Sequence, residues 1–189
     1  DVNNRMYCAR NSNQYLRWDD PQTGATFTTI AVAGFGGIVS AVKVSPNTSN
    51  RVFFGIDNGD VFRVDNAHTG APTTTNISTG LPAAYLTCIE VQTGDDNHLI
   101  ATYSNYGVNS VWESTNGGTS WTSVEGNLPD MPIRWALFNP SNSDQVVLAT
   151  ELGVWSTDNL NGGATNWGAS NSGLANVRVD MLQLRTSDN

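Results

Sequence analysis

The sequence repeats itself with a period of about 46 or 47 residues, and this period constrains the fold more than any other feature. Leu81-Pro82 recurs as Leu128-Pro129, and Leu174-Ala175 follows 46 positions later. A polar turn at 46–50 recurs at 140–144, and residues 94–97 form the copy between them. Each copy is one supersecondary unit that must bury its apolar side against a neighbouring copy.

Each turn is followed by an apolar run, a tight turn containing glycine, and a second apolar run. These runs are rich in β-branched and aromatic residues, which indicates strands, and no window has a sustained helical period with caps. We therefore expect almost no helix. A unit of about 45 residues with four short strands is typical of a β-propeller blade. The innermost strands are predicted at 39–44, 85–91, 133–138 and 177–184.

The first predicted blade is divided between the two ends of the chain. Residues 5–9 and 15–19 match the second and third strands of the other copies, whereas 177–184 matches a first strand. The predicted all-β module of four four-stranded blades comprises 1–37 with 177–189, 38–82, 83–129 and 130–176. Either the C-terminal strand closes a four-bladed ring, which would remove both exposed edges, or the chain is an arc of a larger propeller. Both arrangements remain open.

The composition excludes some classes of function. The net charge is −8 and the nine basic residues are scattered, so nucleic acid is not an expected partner. No apolar run is long enough to span a bilayer. Cys8 and Cys88 are either buried small side chains or a disulfide. The sequence lacks an initiator methionine and a signal peptide, so we expect a chain excised from a longer precursor with further blades or domains.

Ser114-Thr115-Asn116-Gly117-Gly118-Thr119-Ser120-Trp121 resembles the Asp-box (or BNR repeat), S-x-D-x-G-x-x-W. The Asp-box is found in sialidases, sortilin-type receptors, xyloglucanase-type hydrolases and photosystem-assembly propellers. Asn116 replaces the usual aspartate and keeps an acceptor for the local turn. Residues 19–27 and 65–73 look like eroded copies of the hairpin. A second box with an insertion is carried by Ser156, Asp158, Gly163 and Trp167.

The resemblance implies that these boxes are structural. In such families the box is an outer hairpin remote from the central pocket, so Ser114, Asn116 and Gly118 would hold the turn and Trp121 would pack between blades. The resemblance also implies a secreted or cell-surface protein of bacterial type.

Two catalytic hypotheses follow from the same families. A sialidase needs an arginine cluster that binds a carboxylate, and only Arg134 and Arg178 occupy corresponding places on predicted inner strands. The stretch from Tyr7 to Asp19 resembles the early Y-A-R-T-D-x-G-G-x-Y-R-W-D of xyloglucanases. Arg10 is followed by Asn and Ser here, so the catalytic carboxylate of that motif is missing.

Binding is therefore the expected activity, with no catalytic residue, metal or cofactor. His68 and His98 lie in turn-like contexts and are expected to be solvated. Exposed aromatic residues at a propeller face would contact a glycan or a protein: Tyr103, Tyr106, Trp135 and Trp155. The sequence predicts a non-catalytic extracellular module that contacts carbohydrate or protein within a larger protein. The alternative is a fragment of a xyloglucanase- or sialidase-like hydrolase without its catalytic residues.

Overall fold

A computed structural model describes residues 1, 3–24, 26–31 and 34–185. These residues form fifteen strands and no helix, which confirms the predicted all-β class. Nothing in the described part of the chain is a helix that could cross a membrane. The strands are β1 (Arg5–Asn11), β2 (Gln14–Asp19), β3 (Phe27–Ala31), β4 (Val39–Val44), β5 (Val52–Ile56), β6 (Val61–Asp65), β7 (Thr73–Asn76), β8 (Leu86–Gln92), β9 (Asp95–Tyr103), β10 (Val111–Ser114), β11 (Thr122–Ser123), β12 (Ile133–Asn139), β13 (Asn142–Thr150), β14 (Gly153–Thr157) and β15 (Gly168–Ala169).

The described strands form four antiparallel sheets in which consecutive strands pair. Sheet 1 contains β1 to β3, sheet 2 contains β4 to β7, sheet 3 contains β8 to β11, and sheet 4 contains β12 to β15. Short turns join the strands because glycine and polar residues interrupt each apolar run. The strand β4 was predicted with its observed bounds, β8 differs from prediction by one residue at each end, and β12 differs by one residue at its C-terminal end.

A bulge recurs at one position of the innermost strands β4, β8 and β12. The register of each strand with its neighbour skips one residue, which is Ser40, Thr87 or Arg134. These three residues are 47 positions apart, so the repeat in the sequence is also a repeat in backbone geometry. Bulges redirect a side chain away from its regular place in the ladder. The three side chains therefore mark one level of the repeated inner surface.

Sheet 1 corresponds to the second, third and fourth strands of a unit. Arg5 donates to Asp19 at 2.9 Å and to Asn50 at 2.9 Å. Arg51, 46 residues later, donates to Asp65 at 2.6 Å and to Asp96 at 3.0 Å. The strand β1 is thus equivalent to β5, as the match of residues 5–9 indicated.

The prediction of a strand at 177–184 is wrong. Residues 170–185 contain no strand, and the backbone N–H of Val179 donates to Thr150 O at 3.0 Å. Among the described residues no strand pairs with the free edge of β1, and none joins sheet 1 to sheet 4, so the sheets form an open arc. A strand needs a continuous ladder of backbone partners, and the apolar run at 177–184 pairs with no strand among the described residues.

One apolar cluster fills each junction between neighbouring sheets. Sheets 1 and 2 share a cluster in which the rings of Tyr15 and Phe54 lie 4.9 Å apart. A second cluster joins sheets 2 and 3 through Phe53 and Tyr103, and a third around Phe138 joins sheets 3 and 4. Each sheet is therefore stabilised by burial against the next, as expected for a linear repeat.

Candidate functional site

The turn from Ser114 to Trp121 is held by its own polar side chains. Ser114 Oγ accepts from the backbone N–H of Gly118 at 2.9 Å, and Asn116 Oδ1 accepts from the N–H of Ser120 at 2.9 Å. Asn116 Nδ2 also donates to Ser120 Oγ at 2.8 Å. At Gly118, where φ is +83°, a Cβ atom would lie 2.7 Å from the Ile77 side chain. These contacts are internal, so the turn offers little polar capacity for a ligand.

Trp121 connects sheet 3 to sheet 2, and Trp167 connects sheet 4 to sheet 3. Trp121 is 8% exposed and its Nε1 donates to Ile77 O at 2.7 Å. Trp167 is 2% exposed and donates to Val124 O at 2.8 Å. Both indoles are buried between sheets and have a hydrogen-bond partner, which is a structural arrangement.

The second predicted box, which begins near Ser156, is shifted by one residue from its predicted alignment with the first box. Ser156 forms a hydrogen bond with Ser170, and Asp158 accepts from Gln145. Thr157, 4% exposed, instead stands at the place of Ser114, and its Oγ1 accepts from the N–H of Asn159 at 3.3 Å.

Gly163 also differs from the glycine of the first turn, because a Cβ atom there would meet nothing within 4 Å. The pairing of β13 with β14 determines this alignment. Ser156 lies opposite the partly exposed Val147 and therefore faces the more exposed side of the sheet, whereas Thr157 lies opposite the buried Val146.

Tyr103 is a buried residue, so the expectation that it is exposed is wrong. Its side chain is 0% exposed and its hydroxyl donates to Gly59 O at 3.0 Å. Burial raises the pKa of this phenol. Trp155 is half-buried against the cluster between sheets 3 and 4, and its Nε1 donates to Leu152 O at 3.3 Å. Trp112, at the same place in sheet 3, donates to Asn109 O in the same way, so Trp155 belongs to the repeat.

Two tyrosines lie on one loop rim of sheet 3. Tyr106 is 64% exposed and Tyr85 is 49% exposed. The backbone N–H of Tyr85 donates to Asn105 Oδ1 at 2.6 Å, and the N–H of Ser104 donates to Tyr85 O at 3.1 Å. The N–H of Gly107 donates to Asp130 Oδ1 at 2.8 Å. The loop at 104–110 is thus fixed on both sides of Tyr106. Sequence reasoning missed Tyr85 as a site residue, although Tyr85 is the first residue of a predicted inner strand.

The inner strands carry polar atoms that lack partners. In the described part of the chain, five buried side-chain N or O atoms have no hydrogen bond, and four of them lie on inner strands. Those four atoms are Ser40 Oγ, Gln92 Oε1, Arg134 Nε and Trp135 Nε1. Buried polar groups are nearly always paired, so these four atoms indicate places along the innermost strands where solvent or a ligand completes the bonding.

A cavity of about 290 Å³ lies along this inner surface. Trp135 lines it together with Lys43 and Glu90, whose ion pair measures 2.7 Å, and residues 182–184 close one side. Burial raises the pKa of Glu90, and the neighbouring Lys43 ammonium partly opposes this rise. The structure thus places Trp135 in the inner cavity, separate from the tyrosines of the rim.

The carboxylate in the stretch from Tyr7 to Asp19 is already engaged. The Asp19 carboxylate forms ion pairs with Arg5 at 2.9 Å and with Arg17 at 2.8 Å. The same triangle recurs at Asp65, which binds Arg51 and Arg63. Because the arrangement repeats with the sheets, the repeat explains it without catalysis.

The remaining reactive side chains are also in structural settings. His98 is 9% exposed, bonds Glu113 at 2.7 Å and packs its ring 4.6 Å from Phe138, so the expectation of a solvated loop is wrong for it. Both cysteines are free, and burial raises the pKa of the Cys88 thiol to about 12. Within the described ranges, no group of three or more His, Cys, Asp or Glu side chains could hold a metal ion.

Solved structures resemble this arc of sheets. An ancestral GH74 enzyme matches with a TM-score of 0.67 and 23% identity over 89% of this chain and 23% of its own. The computationally designed Ika8 protein matches with a TM-score of 0.65 and 16% identity over 97% of this chain and 50% of its own. YCF48 from Cyanidioschyzon merolae matches with a TM-score of 0.58 and 18% identity over 76% and 44%. The fold is that of a β-propeller.

At these identities the likeness shows the fold alone, and the chain spans half or less of the length of each of these three proteins. No family model matches the chain. A comparison with curated proteins also gives no match. The four sheets are therefore four blades in an arc, the first of which has three described strands.

Proposed function

We propose that the chain is a non-catalytic propeller module that binds carbohydrate at the rim formed by Tyr85, Asn105 and Tyr106. The observation that carries this proposal is the exposure of Tyr85 (49%) and Tyr106 (64%) on one rim, where the Tyr85 backbone N–H donates at 2.6 Å to Oδ1 of Asn105, the residue before Tyr106. Aromatic rings stack on the apolar faces of sugars, and neighbouring polar groups bond the hydroxyls.

The rim is rigid before a ligand arrives. The bond from Gly107 to Asp130 and the bond from Ser104 to Tyr85 hold the loop at both ends. A loop that is already ordered loses less conformational entropy on binding, which favours affinity. Loops at one end of the sheets are also the usual place for binding residues on a rigid scaffold.

The proposed setting is the outside of a bacterial cell, within a larger protein that has further blades or domains. The hydrogen bonding of Ser114 and Asn116 supports an Asp-box type of hairpin at that turn. The partial coverage of the ancestral GH74 enzyme supports a longer parent protein.

Calorimetric titration with xyloglucan oligosaccharides, cello-oligosaccharides and a sialyl-lactose tests the proposal. We expect one of these probes to bind, and Tyr106→Ala or Tyr85→Ala to weaken its binding about tenfold or more. Leu152→Ala is the matched control, because Leu152 is 45% exposed on the corresponding loop of sheet 4. If the tyrosine variants bind as the unchanged chain does, the rim is not the binding site.

A second candidate function is part of a glycoside hydrolase, which the likeness to the ancestral GH74 enzyme favours. Against it, Asp19 is held by two arginines and the motif carboxylate after Arg10 is replaced by Asn11 and Ser12. We expect no hydrolysis of xyloglucan or of a fluorogenic sialoside. Turnover that Asp19→Asn abolishes would favour the hydrolase instead.

A further inference from the structure

The loop rim that carries Tyr85 and Tyr106 is acidic. In sheets 2 to 4 this rim consists of the loops at one end of the antiparallel strands, which are residues 57–60, 77–85, 104–110, 124–132 and 151–153. These loops contain no lysine or arginine and five carboxylates: Asp57, Asp60, Glu125, Asp130 and Glu151. Glu151 pairs with Arg134 of β12 at 2.9 Å, whereas the other four carboxylates form no ion pair within the described chain. The rim therefore attracts cations.

Two of these carboxylates line a pocket beside Tyr106. The pocket has a volume of about 220 Å³ and is formed by Gly107, Val108, Asn109, Glu125, Leu128 and Asp130. Gly107 directly follows Tyr106, so the pocket and the exposed ring belong to one surface. The volume is below the usual range for a pocket that encloses a whole small ligand. It suits one unit of an oligosaccharide whose other units lie over the tyrosines.

Backbone hydrogen bonds hold both carboxylates of this pocket in place. Glu125 Oε2 accepts from the N–H of Ser110 at 2.6 Å and from the N–H of Val111 at 3.1 Å. Asp130 Oδ1 accepts from the N–H of Gly107 at 2.8 Å, and each carboxylate has a second oxygen that a ligand can use. Burial raises the pKa of Glu125, the two backbone bonds oppose this rise, and the charge of Asp130 adds to it. Two neighbouring negative charges favour a ligand that brings a positive charge.

We propose that the rim selects amino sugars, with a protonated amino group of the sugar held by Glu125 and Asp130 and a sugar ring stacked on Tyr106. This inference rests on the proposed carbohydrate binding, because the tyrosines form the site and the carboxylates determine which sugars it accepts. The tyrosine faces favour the same choice, since an aromatic ring attracts an ammonium group. Sugars that carry a carboxylate are repelled by the same two side chains.

Calorimetric titration with three β-1,4-linked oligomers of equal length tests this selectivity. Oligomers of glucosamine, N-acetylglucosamine and glucose share one backbone and differ at C2, which carries an ammonium, an acetamide or a hydroxyl group. At about pH 6, where ordinary carboxyl groups are ionised, we expect the glucosamine oligomer to bind about fivefold or more tighter than the glucose oligomer. Added salt should reduce this ratio, because it screens exposed charges.

The three oligomers separate a failure of this inference from a failure of the proposed function. Equal affinities for the three, weakened by Tyr106→Ala, would overturn the selectivity and leave carbohydrate binding at the rim intact. Binding of none of them would overturn the selectivity, and binding of no neutral or acidic sugar either would overturn the proposed function as well. A lysine oligomer tests whether a sugar ring is needed. If it binds as tightly as the glucosamine oligomer and depends equally on Tyr106, the rim is a site for basic peptides and the inference is wrong.

Charge-removing variants test whether the pocket carries the selectivity. Glu125→Gln and Asp130→Asn each keep an oxygen that accepts the backbone N–H groups, and each should narrow the ratio of the glucosamine to the glucose affinity. The double variant should bring this ratio close to one. Asp144→Asn is the matched control, because Asp144 is an exposed carboxylate near the start of β13, at the opposite end of the strands. If Asp144→Asn narrows the ratio as much as Glu125→Gln does, the net charge of −8 attracts the sugar and the inference is wrong.

Discussion

Replacing Trp121 with alanine should destabilise the chain more than almost any other single change. The indole is 8% exposed between sheets 2 and 3, and its Nε1 donates to Ile77 O at 2.7 Å. Truncating a buried tryptophan leaves a cavity that costs about 3–5 kcal/mol. Trp121→Phe keeps most of the ring but removes the donor to Ile77 O, so we expect a cost of about 1–3 kcal/mol.

Urea unfolding followed by tryptophan fluorescence and by circular dichroism measures these costs. A typical slope is about 1–3 kcal/mol per molar urea, so Trp121→Ala should lower the midpoint by roughly 1 M or more. Trp167→Ala should have a similar effect, because Trp167 is 2% exposed and donates to Val124 O. Trp112→Ala is the control, since that half-buried indole only bonds the local Asn109 O. If Trp121→Ala and Trp112→Ala have equal midpoints, Trp121 does not connect the blades as argued.

Three smaller perturbations test single contacts, with urea midpoints as the measurement. Asn116→Ala should cost about 1 kcal/mol, because it removes local hydrogen bonds of one turn, and an unchanged midpoint would contradict this. Tyr103→Phe should cost about 1–2 kcal/mol by leaving Gly59 O without its donor. Burial acts to raise the pKa of Asp96, but hydrogen bonds from the turn after β4 and the charge of Arg51 outweigh it and lower the pKa. A lowered carboxyl pKa adds stability that is present above the ordinary pKa and lost as the pH falls through the folded-state value. Asp96→Asn should therefore lower the midpoint at pH 7 and flatten its fall below about pH 4, and parallel pH curves would refute this.

The blades were predictable because their signals are local. The period near 47 residues located β4, β8 and β12 to within one residue, since each begins after a turn that the composition identifies. The run at 177–184 has a similar composition but forms no strand, because a strand depends on a partner that the sequence of one unit does not contain.

The site residues were less predictable because burial depends on contacts between units. Tyr103 precedes the polar turn Ser104-Asn105, which suggested exposure, yet its hydroxyl reaches Gly59, 44 residues away. The second box was predicted to begin at Ser156 and not at Thr157 because both residues carry a hydroxyl, and the pairing with β13 is what distinguishes them. A comparison of the residues that precede β4, β8 and β12 could have found Tyr85. Ile38 and Pro132 occupy the same place in sheets 2 and 4, and neither is aromatic.

Departures from the repeat are the best guide to function in a chain of this kind. Packing residues must recur in each blade, because every junction has the same geometry. A ligand contact has no reason to recur. The loop between the second and third strands is three residues longer in sheet 3 than in sheet 2, and Tyr106 lies in this longer loop. Neither it nor Tyr85 has an aromatic counterpart in sheets 2 and 4. Packing does not require these two rings, so a binding role at the rim explains them better than a structural one.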